Sequence, residues 1–287
     1  MPSPSPIELN AGALRLVLRA DLGGAIGGLW FDGLPVLRSS DDPAALTTSR
    51  ASGCYPLVPY SNRLGYARFR WAGHDHRTRP NFDPGCPHSL HGVSWQRPWT
   101  LLSADATQAE MEHMHTPDED WPFAYRVTQR AVLTPEALRL ELAITNTGDQ
   151  AQPVGLGWHP YFVKRTRSRL HVECTDRWDS DPSGLPTRKV AQPGGIDGDV
   201  AHLAFDHCFE GWRGAARIRD EKLSLRLTSS LGHVVVYTPA EKPIYCVEPV
   251  SHVSNAIHMS DPAAHGLRTL QPGETFSAWM SLEVAPA

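Results

Sequence analysis

Leu138-Arg139-Leu140-Glu141-Leu142 alternates apolar and polar residues without a break. Side chains of an extended chain point to opposite faces in turn, so this pattern is that of a strand with one buried face. Leu223-Ser224-Leu225-Arg226-Leu227 repeats it. His233-Val234-Val235-Val236-Tyr237 is a β-branched run suited to a buried strand, and Phe276 to Val284 is strand-like again. Turn signals separate the runs: Asp32-Gly33, Ala72-Gly73, Thr134-Pro135-Glu136 and Asn146-Thr147-Gly148. Phe69 and Trp71 flank Arg70 before Ala72-Gly73, as in the first arm of a hairpin. Short strands with regular turns predict an all-β chain folded as a large antiparallel β-sandwich. No βαβ alternation, Gly-rich phosphate loop or short repeat interrupts this reading. Segment 176–215 is dense in Asp, Pro and Gly and reads as long connecting loops. One domain is expected over residues 1–287, with residues 1–12 as a flexible start.

Composition narrows the function. The chain of 287 residues carries 27 Lys+Arg against 31 Asp+Glu, a formal net charge of -4, so no basic stripe points to nucleic acid. Hydrophobic residues make up 41%, enough for a packed core. The start, Met1-Pro2-Ser3-Pro4-Ser5-Pro6, has neither the basic nor the apolar part of a signal peptide. No run approaches the ~20 apolar residues that span a bilayer. The expectation is a soluble cytoplasmic protein, monomer or homodimer, with no membrane partner. The five cysteines, Cys54, Cys86, Cys174, Cys208 and Cys246, are scattered and lack CxxC spacing. They read as small buried hydrophobes and not as a disulfide framework or zinc site.

Five segments place polar groups among aromatics, prolines or glycines. In Gly157-Trp158-His159-Pro160-Tyr161-Phe162, the proline drives His159 into extended backbone. A histidine held so is fitted to proton transfer near neutral pH; the alternative is a core histidine bonded to a carbonyl. Glu248 interrupts the apolar run Tyr245-Cys246-Val247 and precedes Pro249, where desolvation should raise its pKa. Pro59-Tyr60-Ser61-Asn62-Arg63-Leu64-Gly65 carries the planar donor fork of Arg63. His88-Ser89-Leu90-His91-Gly92 has ligand-like histidines but no acidic or cysteine partner at metal spacing. Phe205-Asp206-His207-Cys208-Phe209 boxes an Asp-His pair between aromatics. His74-Asp75-His76 and His113-Met114-His115 read as solvated turns or edges. His159 and Glu248 form a candidate acid/base pair. No GxSxG elbow supports acyl chemistry.

Taken in order, from about residue 13 to 284, these segments resemble the aldose 1-epimerase (galactose mutarotase) family. Asn62-Arg63, Leu90-His91-Gly92, His159-Pro160-Tyr161-Phe162, Asp206 and Glu248-Pro249 are similar to its motifs. The resemblance implies a galactose mutarotase-like supersandwich with an open sugar cleft and neither metal nor organic cofactor. It implies Glu248 as general base and His159 as general acid, with His91 joining the catalytic set. Asn62, Arg63 and Asp206, together with His91, would hold the sugar through its hydroxyls and ring oxygen. A carboxylate near His159 is expected to raise its pKa. The chain departs from the family pattern at Trp158, Val93 and Val250-Ser251-His252. Trp158 and the basic run Lys164-Arg165-Thr166-Arg167-Ser168-Arg169 are expected to bear on which sugar is taken.

The reading is thus an isomerase that interconverts α and β anomers of a free aldose. The alternatives are a hexose-6-phosphate 1-epimerase using the basic run, a non-catalytic carbohydrate-binding protein, and a glycoside hydrolase built on Glu248 and Asp206.

Overall fold

The computed structural model describes residues 6–287, built of antiparallel strands joined by turns, loops and short 3-10 segments. The start motif before Pro6 lies outside the described residues. Ile7–Ala11, expected to be part of a flexible start, is a strand paired with Leu14–Arg19. Leu9 is the reason: it alternates with Glu8 and Asn10, and it is fully buried.

Ala137–Asn146 lies in the middle of a nine-stranded sheet. It pairs with Tyr125–Leu133 on one side and Thr275–Pro286 on the other. Leu138 faces Leu133 and Leu282, and Leu140 faces Ala131 and Met280, so each apolar residue stacks on apolar neighbours across three strands. Leu223–Ser229 continues the sheet beside Thr275–Pro286. The Phe69 hairpin forms as expected, between Arg68–Trp71 and His74–Arg77.

A second, eight-stranded sheet carries Asp206–Glu210, His233–Tyr237, Ile244–Val250, Gly157–Trp158 and Tyr161–Val163. Its two faces differ. Phe209, Val234, Val236, Tyr245 and Val247 point into the main core, together with Leu138, Leu140 and Leu142. Cys208, Val235, Ile244 and Cys246 point the other way, into a smaller cluster with Tyr55, Trp95 and Tyr161. The site lies on this second face.

Three expectations are corrected. Segment 176–215 is not a set of long loops: Asp176–Ser180, Pro186–Ala191, Ile196–Asp199 and Asp206–Glu210 are strands. Its Asp, Pro and Gly residues mark tight turns between strands too short to show clear alternation. His113 and His115 are not solvated. They point inward from Gln108–His115, while Met114 between them is exposed. His115 Nε2 lies 2.9 Å from the Trp121 carbonyl, and its ring stacks on Tyr125. Cys86 is only partly buried, whereas the other four cysteines are buried. Among the described residues, no helix is long and apolar enough to cross a membrane.

Candidate active site

The strand Ile244–Val250 is buried along its whole length, so alternation alone decides what each residue meets. Cys246 and Glu248 share the site face. In register, Cys246 lies beside Tyr161 on one side and Tyr237 on the other, and Tyr237 lies beside Asp206. Four strands therefore set Asp206, Tyr237, Cys246 and Tyr161 in one transverse row. Glu248 stands one step further along, beside Val235.

The opposite wall is a pair of loops that latch together. Asn62 and His91 both adopt left-handed backbone, with φ of 57° and 61°. The two residues bond to each other twice: His91 N–H donates to the Asn62 carbonyl at 2.9 Å, and Asn62 N–H donates to the His91 ring at Nδ1 at 3.0 Å. Because Nδ1 accepts, the neutral ring carries its proton on Nε2. Burial, reinforced by the charges of Arg63 and Arg50, pushes His91 down to about 3. It is a neutral donor at any working pH. Gly92 follows at φ +68°, and a Cβ there would lie 2.0 Å from the Val58 carbonyl oxygen. Only glycine lets the loop pass so close. Gly184 packs directly against the Arg63 guanidinium, whose Cζ would lie 2.5 Å from an added Cβ. Asn62 Oδ1 accepts from the Arg63 backbone N–H at 2.8 Å, while Arg63 Nε is buried without a partner.

His159 enters between these walls. Its N–H donates to the Tyr55 carbonyl at 3.0 Å. Its ring stacks on Tyr161 with centroids 4.4 Å apart, lies 5.0 Å from the Tyr55 ring, and takes the edge of His91 at 5.2 Å. Nε2 lies 3.4 Å from Glu248 Oε1. His159 Nδ1 and Glu248 Oε2 are buried with no hydrogen-bond partner.

The expected upward shift of His159 is not found. Burial drives its pKa well below the ordinary imidazole value, and the neighbouring His91 and Arg38 add to the effect. Burial likewise lifts Glu248 well above the usual carboxylate range, helped by the charge of Asp206 and opposed by Arg63. Removing both groups from water outweighs their mutual attraction. Both shifts favour the neutral forms, an imidazole facing a protonated carboxyl. The Cys246 thiol completes a triad of donor atoms within 4.8 Å, but burial holds it well above its ordinary pKa. A soft cation would have to displace that proton to bind.

Asn62, Arg63, His91, His159, Asp206 and Glu248, the six residues singled out from sequence, line one cavity of about 280 Å³. Asp206 is exposed at its rim, and Glu248 is buried at its floor. A larger hollow of about 460 Å³ lies on the outer face of the nine-stranded sheet, among Glu110, Arg130 and Trp279. It contains none of these residues.

Two expected specificity elements lie elsewhere. Trp158 points into the core and donates from Nε1 to Gln129 Oε1 at 3.2 Å, because alternation turns it away from the site. In the basic run, Lys164 donates to the Pro239 and Ala240 carbonyls, Arg165 pairs with Asp220 at 2.8 Å, and Arg169 pairs with Asp199 at 3.1 Å. None of these lines the cavity. The cavity instead holds Arg38, Arg50, Tyr237 and Lys242, which no sequence motif marked.

His252 also lies outside the cavity but braces it. Nδ1 donates to the Val253 carbonyl at 2.8 Å, and Nε2 accepts from Ser61 N–H at 3.2 Å. It ties the end of the Glu248 strand to the Asn62-Arg63 loop. Burial holds it at about 4, so it stays neutral.

Comparison with known proteins agrees with this geometry. The uncharacterized protein YphB of Escherichia coli (strain K12) is 30% identical over 292 residues, covering 96% of this chain and 97% of that protein. A crystal structure of a provisionally assigned aldose 1-epimerase from Escherichia coli K12 is 28% identical, covers 99% of each chain and superposes with a TM-score of 0.88. A galactose 1-epimerase from Lactobacillus acidophilus NCFM shares the fold, with a TM-score of 0.81 at 16% identity over 100% of this chain and 96% of that one. The aldose 1-epimerase family pattern matches residues 5–283. With that match running through both sheets and every loop that frames the cavity, the chain belongs to the aldose 1-epimerase family.

Proposed function

We propose that the protein interconverts the α and β anomers of a free aldose, with His159 and Glu248 as its proton-transfer pair. One observation carries this reading: the two groups face each other at 3.4 Å on the buried floor of a sugar-sized cavity. Each also has an unpartnered polar atom there.

Moving the shared proton from Glu248 to His159 gives a carboxylate and an imidazolium. Glu248 then removes the proton from the C1 hydroxyl as His159 protonates the ring oxygen. The C1–O5 bond breaks and leaves the open-chain aldehyde. Rotation about C1–C2 presents the other face of the carbonyl. His159 takes its proton back from the O5 hydroxyl as O5 attacks C1, and Glu248 returns a proton to O1. The pair ends with the proton it began with. His91 Nε2–H and Arg63 are donors for hydroxyls and ring oxygen, Asp206 is an acceptor at the rim, and Asn62 fixes the backbone of both loops.

Pairing of a carboxyl with a histidine, and not with a second carboxyl, favours epimerisation over glycoside hydrolysis. The test is anomer exchange by NMR or polarimetry. His159→Ala and Glu248→Gln should each slow exchange by roughly 10²–10⁴-fold, the usual contribution of one positioned acid or base. Near-normal exchange in either variant removes the assignment. Saturable sugar binding without exchange in the wild type would make the protein a binding module.

A further inference from the structure

We infer that the substrate is an aldose carrying a second, anionic group, held by Arg38 and Lys242, which line the same cavity. This rests on the epimerase reading and names the substrate class of that same site.

The inference starts from a charge imbalance. Four cations line the cavity, Arg38, Arg50, Arg63 and Lys242, against the carboxyls of Asp83, Asp206 and Glu248. Arg50 is matched by Asp83 at 3.0 Å. Arg63 and Asp206 together also line a narrow cleft with Gly184 and Ser254. Glu248 is the floor group facing His159. Among the described residues, Arg38 and Lys242 have no carboxylate partner. Hydroxyls alone would be served by the neutral donors and acceptors already present. Two unopposed cations in a half-closed pocket are better matched by an anion.

Arg38 is also held ready. Nε donates to the Ser52 carbonyl at 2.8 Å, and one terminal nitrogen donates to the Arg50 carbonyl. The guanidinium lies 3.8 Å over the Tyr161 ring, whose other neighbour in the stack is His159. Nη1 is left for a ligand. A fork fixed this way loses little entropy on binding. Lys242 lines the same cavity, its Nζ 3.3 Å from the hydroxyl of Tyr237, which stands in the transverse row with Cys246 between it and Tyr161. The basic run after Phe162, bound elsewhere, supplies none of this charge.

The arrangement couples binding to chemistry. Arg38 is one of the charges that disfavour a protonated His159. An anion on Arg38 would offset that field and ease formation of the imidazolium.

The experiment measures anomer exchange by the full-length protein on D-glucose, its 6-phosphate, its 6-sulfonate and D-glucuronate. These arms separate phosphate, sulfonate and carboxylate as the anion. At least one anionic sugar should exceed glucose by roughly tenfold or more in kcat/KM, as expected for a charge-assisted contact. The preference should fall with added salt and should fall in both Arg38→Met and Lys242→Met. Lys242 is exposed, so its variant reports even if loss of Arg38 disturbs the loop it supports. Glucose turned over as well as every anionic sugar would overturn the inference and leave the epimerase reading intact. A preference that survives both substitutions would also overturn it. No exchange on any of the four, nor on D-galactose or D-mannose, would remove the epimerase reading itself.

Discussion

In the proposed mechanism Glu248 and His159 share one proton, and losing it or gaining a second would disable the pair. Activity should follow a bell-shaped pH profile. Its acid limb should lie below the ordinary imidazole value of 6.5, since burial lowers His159. Its alkaline limb, set by a Glu248 raised above 4.5, reports loss of the shared proton. A profile that rises through neutrality with a limb above 6.5 and shows no alkaline fall would contradict this pairing. The same burial has a stability consequence. A carboxyl whose folded pKa is raised costs nothing well below 4.5, where both folded and unfolded forms are protonated. Above that value the unfolded chain gains by ionising, so the cost grows as pH rises. Glu248→Gln should therefore raise the melting temperature more at pH 8 than at pH 4, while slowing exchange by roughly 10²–10⁴-fold. An equal or smaller gain at pH 8 would place the residue in a different environment. His159 and Glu248 were legible because a proline beside each and apolar neighbours set them apart. Arg38 was not, since an arginine between Leu37 and Ser39 looks like any surface residue until the loop places it over Tyr161.

At the level of elements, the site depends on the Asn62–His91 latch more than on any helix or regular hairpin. Gly92 makes the latch possible by passing close to Val58. Gly92→Ala should destabilise the protein by roughly 2 kcal/mol or more, because backbone cannot yield to a Cβ there at φ +68°. Denaturant unfolding with an unchanged midpoint would count against the closeness of this passage. Long alternating strands such as Ala137–Asn146 were readable directly. The strands within 176–215 were not, because at four to six residues each they are outnumbered by turn formers. Gln108–His115 misled for another reason. His113 and His115 alternate with charged or exposed neighbours as core residues do, but a polar side chain on the inner face breaks an apolar pattern.

Over the whole molecule, two sheets share one core, and the site lies on the outer side of the smaller sheet. Gln129 joins them, donating to the Gly24 carbonyl at 2.8 Å and accepting from Trp158 beside His159. Leu140→Ala, at the centre of that core, should cost about 2–5 kcal/mol, the range for a fully buried leucine. Exchange per folded molecule should be retained, because Leu140 touches none of the cavity. Loss of exchange without loss of stability would mean that the core and the site are more tightly coupled than their placement on opposite faces indicates. That two-sidedness bears on how such a protein can change. Asp206, Tyr237, Cys246 and Tyr161 form a transverse row contributed by four strands, while the residues between them on the same strands hold the hydrophobic interior. Selection can rewrite the row, one strand at a time, to suit a new sugar without revising the text on the reverse of the sheet. Descendants of one ancestor can then diverge in diet while keeping the same architecture.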